Sequence, residues 1–203
     1  MKKNKISKDW ILKQRRDIYV RKSIAEGYRS RAVYKLEEIQ KKFKIIKNGS
    51  SVVDLGAAPG SWSQFISRNF KNSKIVSIDL KDMKKITNIN QIKGDFTDQI
   101  QQKKIIDYFG GKIDSIISDM AVNTTGNKNL DAIVTGDLCI EALNFSLNTL
   151  KKQGNFVSKI FMGSSFNEIV AIAKKNFKEV NVFKPPASRK DSKESFIICK
   201  KLR

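Results

Sequence analysis

The amino-acid sequence predicts an α/β fold: a mostly parallel sheet with helices on both faces, closed by an antiparallel hairpin and preceded by a basic helical arm. Three observations carry this expectation. From Ser51 onward, short runs rich in Val and Ile alternate with amphipathic stretches, the pattern of strands joined by crossover helices. The last two candidate strands are separated only by residues 184–194. That stretch holds Pro185 and Pro186 and has no room for a crossover helix, so the two strands pair antiparallel. Positive charge is concentrated at the front, where residues 1–48 carry sixteen Lys or Arg against five acids.

Taken in order, residues 1–48 read as the arm and 49–203 as the main domain. Within the arm, Ser30 is a candidate helix cap, and Val33, Leu36 and Ile39 follow at helical spacing. Strands are expected at Ser51–Leu55, Lys74–Leu80, around Ile92, Ile113–Ser118, Asn155–Phe161, Val180–Phe183 and Ser195–Lys200. Helices are expected at Ser61–Asn69, Asp98–Phe109, Leu130–Lys151 and Phe166–Asn176.

Composition narrows the function. A chain of 203 residues with 40% hydrophobic and 30% charged residues supports one core under a charged surface. A formal charge of +20 favours a polyanionic partner. The sequence contains no histidine, which removes His-based nucleophile pairs, His-ligated metals and a His general base. Cys139 and Cys199 cannot make a four-cysteine zinc site, so no metal is expected. No stretch approaches the roughly 20 apolar residues of a membrane span. The first ten residues lack the apolar region of a secretory signal, and Asp9 and Asp17 interrupt a mitochondrial presequence. The expectation is a cytoplasmic protein that acts as a monomer and does not bind membranes.

The most informative segment is Asp54-Leu55-Gly56-Ala57-Ala58-Pro59-Gly60-Ser61-Trp62-Ser63-Gln64, a strand running through a small-residue loop into a helix. In an open parallel sheet, ligands bind at the carboxyl ends of strands, and Gly56 and Gly60 permit close backbone approach. The spacing is not the three-glycine dinucleotide fingerprint, and no Walker lysine pattern is present. Asp79 ends the next strand, where a ribose diol would be held. Asp95, in Gly94-Asp95-Phe96, ends the third candidate strand, where a carboxylate could accept from an adenine amino group. An adenosine ligand without a pyrophosphate fits best, and S-adenosylmethionine is the candidate.

This segment, with Ser30-Arg31-Ala32-Val33-Tyr34-Lys35-Leu36 upstream and Ser118-Asp119-Met120-Ala121 downstream, resembles the FtsJ/RrmJ family of ribose 2′-O-methyltransferases. The resemblance implies a Rossmann-like methyltransferase fold with seven strands and a final antiparallel hairpin. It also implies that Gly60, Trp62, Asp79, Asp95 and Asp119 line an S-adenosylmethionine pocket. The family's Lys–Asp–Lys–Glu tetrad falls on Lys35, Asp119, Lys159 and Glu194. Two departures stand out: Val122 where the family has proline, and Ser61 in place of the usual second glycine.

The chemistry accounts for such residues. A ribose hydroxyl is a poor nucleophile, and a sulfonium methyl is a strong electrophile. The site must hold oxygen, carbon and sulfur near a line and take up a proton. Without histidine, Lys159 is the choice for that proton, although a charged Lys159 could instead orient the oxygen lone pair.

The arm residues Arg15, Arg16, Arg21, Lys22, Arg29 and Arg31 would flank the site and bind RNA. Trp10, Tyr19 and Tyr28 either stack on unpaired bases or dock the arm on the core. Lys184, Arg189, Lys190 and Lys193 form a second candidate RNA contact. Within the family, the short chain and compact arm point to a uridine of 23S ribosomal RNA in the large subunit. The competing readings are a transfer-RNA 2′-O-methyltransferase, a non-catalytic RNA-binding assembly factor, a base or protein methyltransferase, and a nicotinamide-dependent dehydrogenase.

Overall fold

A computed structural model describes residues 16–121, 128–163 and 165–203. Among these residues the elements run α1 (Ile18–Ala25), α2 (Val33–Phe43), β1 (Ser51–Leu55), α3 (Ser61–Asn69), β2 (Lys74–Asp79), β3 (Ile89–Lys93) and α4 (Gln99–Phe109). They continue with β4 (Ile113–Ser118), α5 (Lys128–Thr149), β5 (Leu150–Phe161), α6 (Phe166–Asn176), β6 (Phe177–Phe183) and β7 (Glu194–Leu202). The strands form one seven-stranded sheet in the order β3-β2-β1-β4-β5-β7-β6. The first five are parallel, and β7 enters antiparallel between β5 and β6. The fold class expected from the sequence is therefore the one observed.

Strand order reverses at β1, which pairs with β2 on one side and β4 on the other. The chain leaves β1 and β4 in opposite directions here and opens a crevice at their carboxyl ends. Of the residues expected at the site, Gly60, Asp79, Asp95 and Asp119 end or follow strands at this edge, Lys159 and Glu194 stand on β5 and β7, and Trp62 stands on α3.

Alternation along the strands divides the core between two faces. On one face Val53, Val76, Ile116, Phe156 and Ile160 pack with Ile105, Leu143 and Ile169 from α4, α5 and α6. On the other, Val52, Ile75, Ile117, Val157 and Ile198 pack with Leu36 and Ile39 of α2 and Trp62 and Ile66 of α3. Leu36 and Ile39 are fully buried, and each such side chain contributes roughly 1.5–3 kcal/mol. From Val33 onward the basic arm is thus built into the core, which anchors Lys35 to the sheet.

Some boundaries differ from expectation for local reasons. Ser30 does not cap α2. Residues 30–35 first make tight i+3 turns, and the helix starts at Val33 behind Ala32. Sequence pattern does not separate helix α1 within the arm. It is fixed by Asp17, whose Oδ1 accepts from the Tyr19 and Val20 N–H groups at 3.0 and 3.3 Å. Helix α5 ends two residues early because Leu150 already pairs with Ile113, after which a bulge intervenes before Ser115 and Asn155 pair. Strand β6 begins at Phe177, earlier than expected. It is an edge strand, and its polar Lys178 and Glu179 hide it from a search for apolar runs.

Candidate active site

The loop after β1 sets the floor of the crevice. Gly56 has φ of +69°, and a Cβ there would lie 2.0 Å from Met120 Cγ. Glycine is required so that the loops after β1 and β4 can touch. Gly60 has φ of +100°, and a Cβ would strike Ile86 and approach the Arg29 guanidinium. Below the loop, the buried Asp54 carboxylate accepts from Ser63 Oγ at 2.6 Å, and Ser63 Oγ lies 2.6 Å from Ser77 Oγ. These contacts tie β1, α3 and β2 together. Burial pushes the Asp54 carboxyl up to about 7, against the opposing Ser63 hydrogen bond.

A cavity of about 520 Å³ opens over the ends of β1, β2, β3 and β4, lined among others by Gly56, Asp79, Leu80, Asp95, Phe96 and Asp119. Asp79 Oδ2 accepts from the Ala58 N–H at 2.9 Å and Oδ1 from the Lys81 N–H at 2.8 Å. Each oxygen keeps a lone pair for a diol. Asp95 is exposed, two residues beyond β3, and accepts from the Thr97 N–H and hydroxyl. Two carboxylates and the apolar Leu80 and Phe96 in one lining suit a nucleoside with a polar sugar and a flat base. Gly60 and Trp62, also expected in this pocket, do not line the cavity. Gly60 is buried beneath Arg29, and the Trp62 indole N–H donates to the Ala32 carbonyl at 2.8 Å. Both support the loop from behind.

The four tetrad positions come together at the edge of this cavity. Lys159 Nζ lies 2.7 Å from Asp119 Oδ1 and donates to the Asp119 carbonyl at 2.8 Å. Lys35 Nζ lies 3.3 Å from Asp119 Oδ2 and 3.0 Å from Glu194 Oε1. Glu194 Oε2 completes the ring at 3.9 Å from Lys159 Nζ. All four side chains are at most 16% exposed. Burial pushes the Lys35 ammonium down, but Asp119 and Glu194 outweigh it, and the net shift is upward. Burial likewise pushes Asp119 up, and Lys159 and Lys35 more than reverse this, holding it below the usual carboxylate range.

A second cavity of about 470 Å³ lies beyond the tetrad, lined by Ser30, Arg31, Ala32, Lys35, Arg189, Asp191, Ser192 and Glu194. Asp119 lines the first cavity, and Lys35 and Glu194 line the second, so the tetrad stands between the two. Sequence reading missed this cavity because its walls come from the arm and from the β6–β7 loop. Among the described residues no group of three or more His, Cys, Asp or Glu is placed to hold a metal ion. No helix of the described residues is long and apolar enough to cross a membrane.

The expected RNA-contact residues divide by their partners. Arg29 donates to the carbonyls of Pro59, Lys84 and Lys85 at 2.7–3.0 Å, clamping two loops. Arg31 is held by Asp17 and the Ala187 carbonyl. Lys184 closes its own loop by donating to the Lys190 and Ser192 carbonyls. Tyr19 and Tyr28 pack against the buried Tyr34, with ring centroids 5.5 and 6.4 Å apart, so these rings dock the arm. Arg16, Arg21, Lys22, Lys190 and Lys193 are exposed. Ser61, one departure from the family pattern, shares a 2.8 Å hydrogen bond with Ser30. Trp10, Arg15 and Val122 lie outside the described residues.

Known proteins share both the sequence and the fold. A family model described as FtsJ-like methyltransferase matches residues 28–202. A ribosomal RNA large subunit methyltransferase E from Pelagibacter ubique is 67% identical over 203 residues, covering 100% of each chain. One of the same description from Zymomonas mobilis is 42% identical over 194 residues, covering 96% of this chain and 88% of its own. A crystal structure described as a ribosomal RNA methyltransferase of Plasmodium falciparum superposes with a TM-score of 0.76 at 31% identity. That match covers 86% of this chain and 98% of the other. With the family model matched over residues 28–202 and relatives 67% and 42% identical over nearly the whole chain, the chain belongs to the FtsJ-like methyltransferase family.

Proposed function

We propose that the protein transfers a methyl group from S-adenosylmethionine to a ribose 2′-hydroxyl, and that its substrate is a uridine of 23S ribosomal RNA in the large subunit. The observation that carries this reading is the position of the tetrad between two cavities, one suited to a nucleoside and one rimmed by cationic side chains. The relatives' description as large-subunit ribosomal RNA methyltransferases supports the substrate.

In this reading the cavity over β1 and β2 holds the methyl donor, with Asp79 on the ribose diol and Asp95 toward the base. When bound, the donor supplies an electrophilic methyl group on a sulfonium. The protein's part is to place the accepting oxygen in line with it, and positioning of that kind can contribute about 7–11 kcal/mol. The target ribose enters from the second cavity, between Lys35 and Glu194, with the exposed Lys190 and Lys193 of the adjoining loop toward its phosphates. Asp119 Oδ1 and the Asp119 carbonyl fix Lys159 Nζ in place. Two of the three directions around this nitrogen are thereby used. The third is left for the ribose hydroxyl: as an ammonium it orients the oxygen lone pair toward the methyl group, and only after releasing its own proton to solvent does the amine take the hydroxyl's. Lys35, kept cationic by its two carboxylates, offsets their charge and prevents Asp119 and Glu194 from repelling the RNA backbone.

The purified protein, S-adenosylmethionine and large subunits from cells lacking this modification form the test. Alkali-resistant linkages mapped across the 23S ribosomal RNA should appear at a single uridine. Methylation of transfer RNA alone, of a base, or of nothing would overturn the reading.

A further inference from the structure

Helix α2 carries more than Lys35 toward the β6–β7 loop. Lys35 and Glu38 stand three residues apart on one face of the helix, and Arg31 lies in the tight turn just ahead of it. Lys35 reaches Glu194. The other two hold one residue of the loop leading to Glu194. Glu38 Oε2 accepts from the Ala187 N–H at 2.9 Å, and Arg31 Nη2 donates to the Ala187 carbonyl. Glu38 also receives the Tyr19 hydroxyl at 3.5 Å, which links it to α1. Ala187 itself is fully buried. Glu38 lines neither cavity, and its hydrogen bonds go to Tyr19 and Ala187, outside the tetrad.

This arrangement has a mechanical consequence. The loop from Lys184 to Lys193 is closed on itself by Lys184 on the Lys190 and Ser192 carbonyls and by the Ser188 N–H on the Pro185 carbonyl, and Glu38 and Arg31 tie it at Ala187 to the chain segment that bears Lys35. Pro185 and Pro186 contribute no N–H groups, and the loop must return Glu194 to within 3.0 Å of Lys35. A displacement of about 1 Å at a reacting centre can reduce rate by roughly 10²-fold.

We propose that Glu38 is a positioning residue: by holding the Ala187 N–H from the helix that bears Lys35, it sets the distance between Lys35 and Glu194 and so the geometry of the tetrad. The inference rests on the methyltransferase reading above for its effect on rate, but the restraint on the loop can be read without turnover.

The test compares Glu38→Ala, Glu38→Asp and Glu38→Gln with the wild-type chain. Glu38→Gln keeps an acceptor for the Ala187 N–H, and Glu38→Asp keeps the charge but withdraws it by one methylene. Single-turnover methyl transfer to large subunits should fall about 10–100-fold in Glu38→Ala, less in Glu38→Asp, and recover to within about threefold in Glu38→Gln. S-adenosylmethionine affinity should stay within about twofold throughout. Amide exchange should rise across 184–194 in Glu38→Ala and remain unchanged across 51–55. In a Glu194→Gln background, adding Glu38→Ala should cost no more than about twofold, because the residue acts through Glu194. A wild-type-like rate in Glu38→Ala, unrecovered loss in Glu38→Gln, or the same loss without Glu194 would overturn the proposal. If Glu38→Ala does not fold, Glu38→Asp supplies the comparison. If the wild-type chain methylates no ribosomal RNA, the functional reading fails, and the exchange across 184–194 alone decides whether Glu38 restrains the loop.

Discussion

The Lys35 ammonium lies 3.0 Å from Glu194 Oε1, although the two residues are 159 positions apart. One stands on a core-packed helix ahead of the sheet, and the other opens its last strand. Asp119 and Lys159 complete the group from β4 and β5, so four separate elements must be in place before the site exists.

Lys159 is expected to matter for the methyl transfer far more than for donor binding. Lys159→Ala should lower the single-turnover rate by about 10²–10⁴-fold at saturating RNA. The dissociation constant for S-adenosylmethionine should change by less than about threefold, since Lys159 does not line the donor cavity. Equilibrium binding and rapid-quench assays check the two halves separately.

Asp119 partners both lysines, so its removal leaves two largely buried ammonium groups with Glu194 as their one carboxylate in the tetrad. Asp119→Ala should cost about 3–5 kcal/mol at pH 7. The native carboxyl is held below its ordinary value of 3.8, so its stabilisation is present above that pH and is lost on acidification. The gap between wild type and variant should therefore narrow below about pH 4, as urea unfolding at about pH 7 and pH 3.5 would record.

Asp54 has the opposite sign. Its carboxyl is raised from 3.8 to about 7, so the folded chain keeps a proton that the unfolded chain has released. The cost of ionising it in the core is absent near pH 4 and complete above about pH 7. Asp54→Asn removes this titration. Its stability relative to wild type should improve by up to roughly 1.4 kcal/mol per pH unit between about pH 4 and pH 7, then level off. Parallel unfolding curves at about pH 5, 6, 7 and 8 measure the slope.

RNA binding should depend on the exposed cations and not on the engaged ones. Neutralising Arg16, Arg21 and Lys190 together should flatten the dependence of log affinity on log salt, by about 0.7–0.9 for each phosphate that is no longer paired with a cation. The fold should be unaffected. Arg29→Ala should instead lower the melting temperature, because it releases the carbonyls of Pro59, Lys84 and Lys85. Salt titrations of RNA affinity, with thermal unfolding alongside, separate the two classes.

How much of this was legible in the sequence depended on the range of the interactions involved. Ser51–Leu55, Ile113–Ser118, Ser61–Asn69 and Phe166–Asn176 were readable to the residue because apolar periodicity and local caps are short-range signals. The antiparallel hairpin followed from the spacing between Phe183 and Ser195. The acids after successive strands could be named because parallel topology places such residues at one edge. The tetrad's membership came from the family resemblance.

Only the folded chain decided which cations were available and which were spent. Nothing in the sequence separates Arg29, locked on three carbonyls, from the exposed Arg21, since the partners lie up to 56 residues away. The same holds for Trp62, turned back onto Ala32, and for Glu38, joined to Ala187 across 149 residues. Periodicity fixes which face a side chain takes on its own element. Its partner on another element depends on how the elements pack, and that is set by the core as a whole.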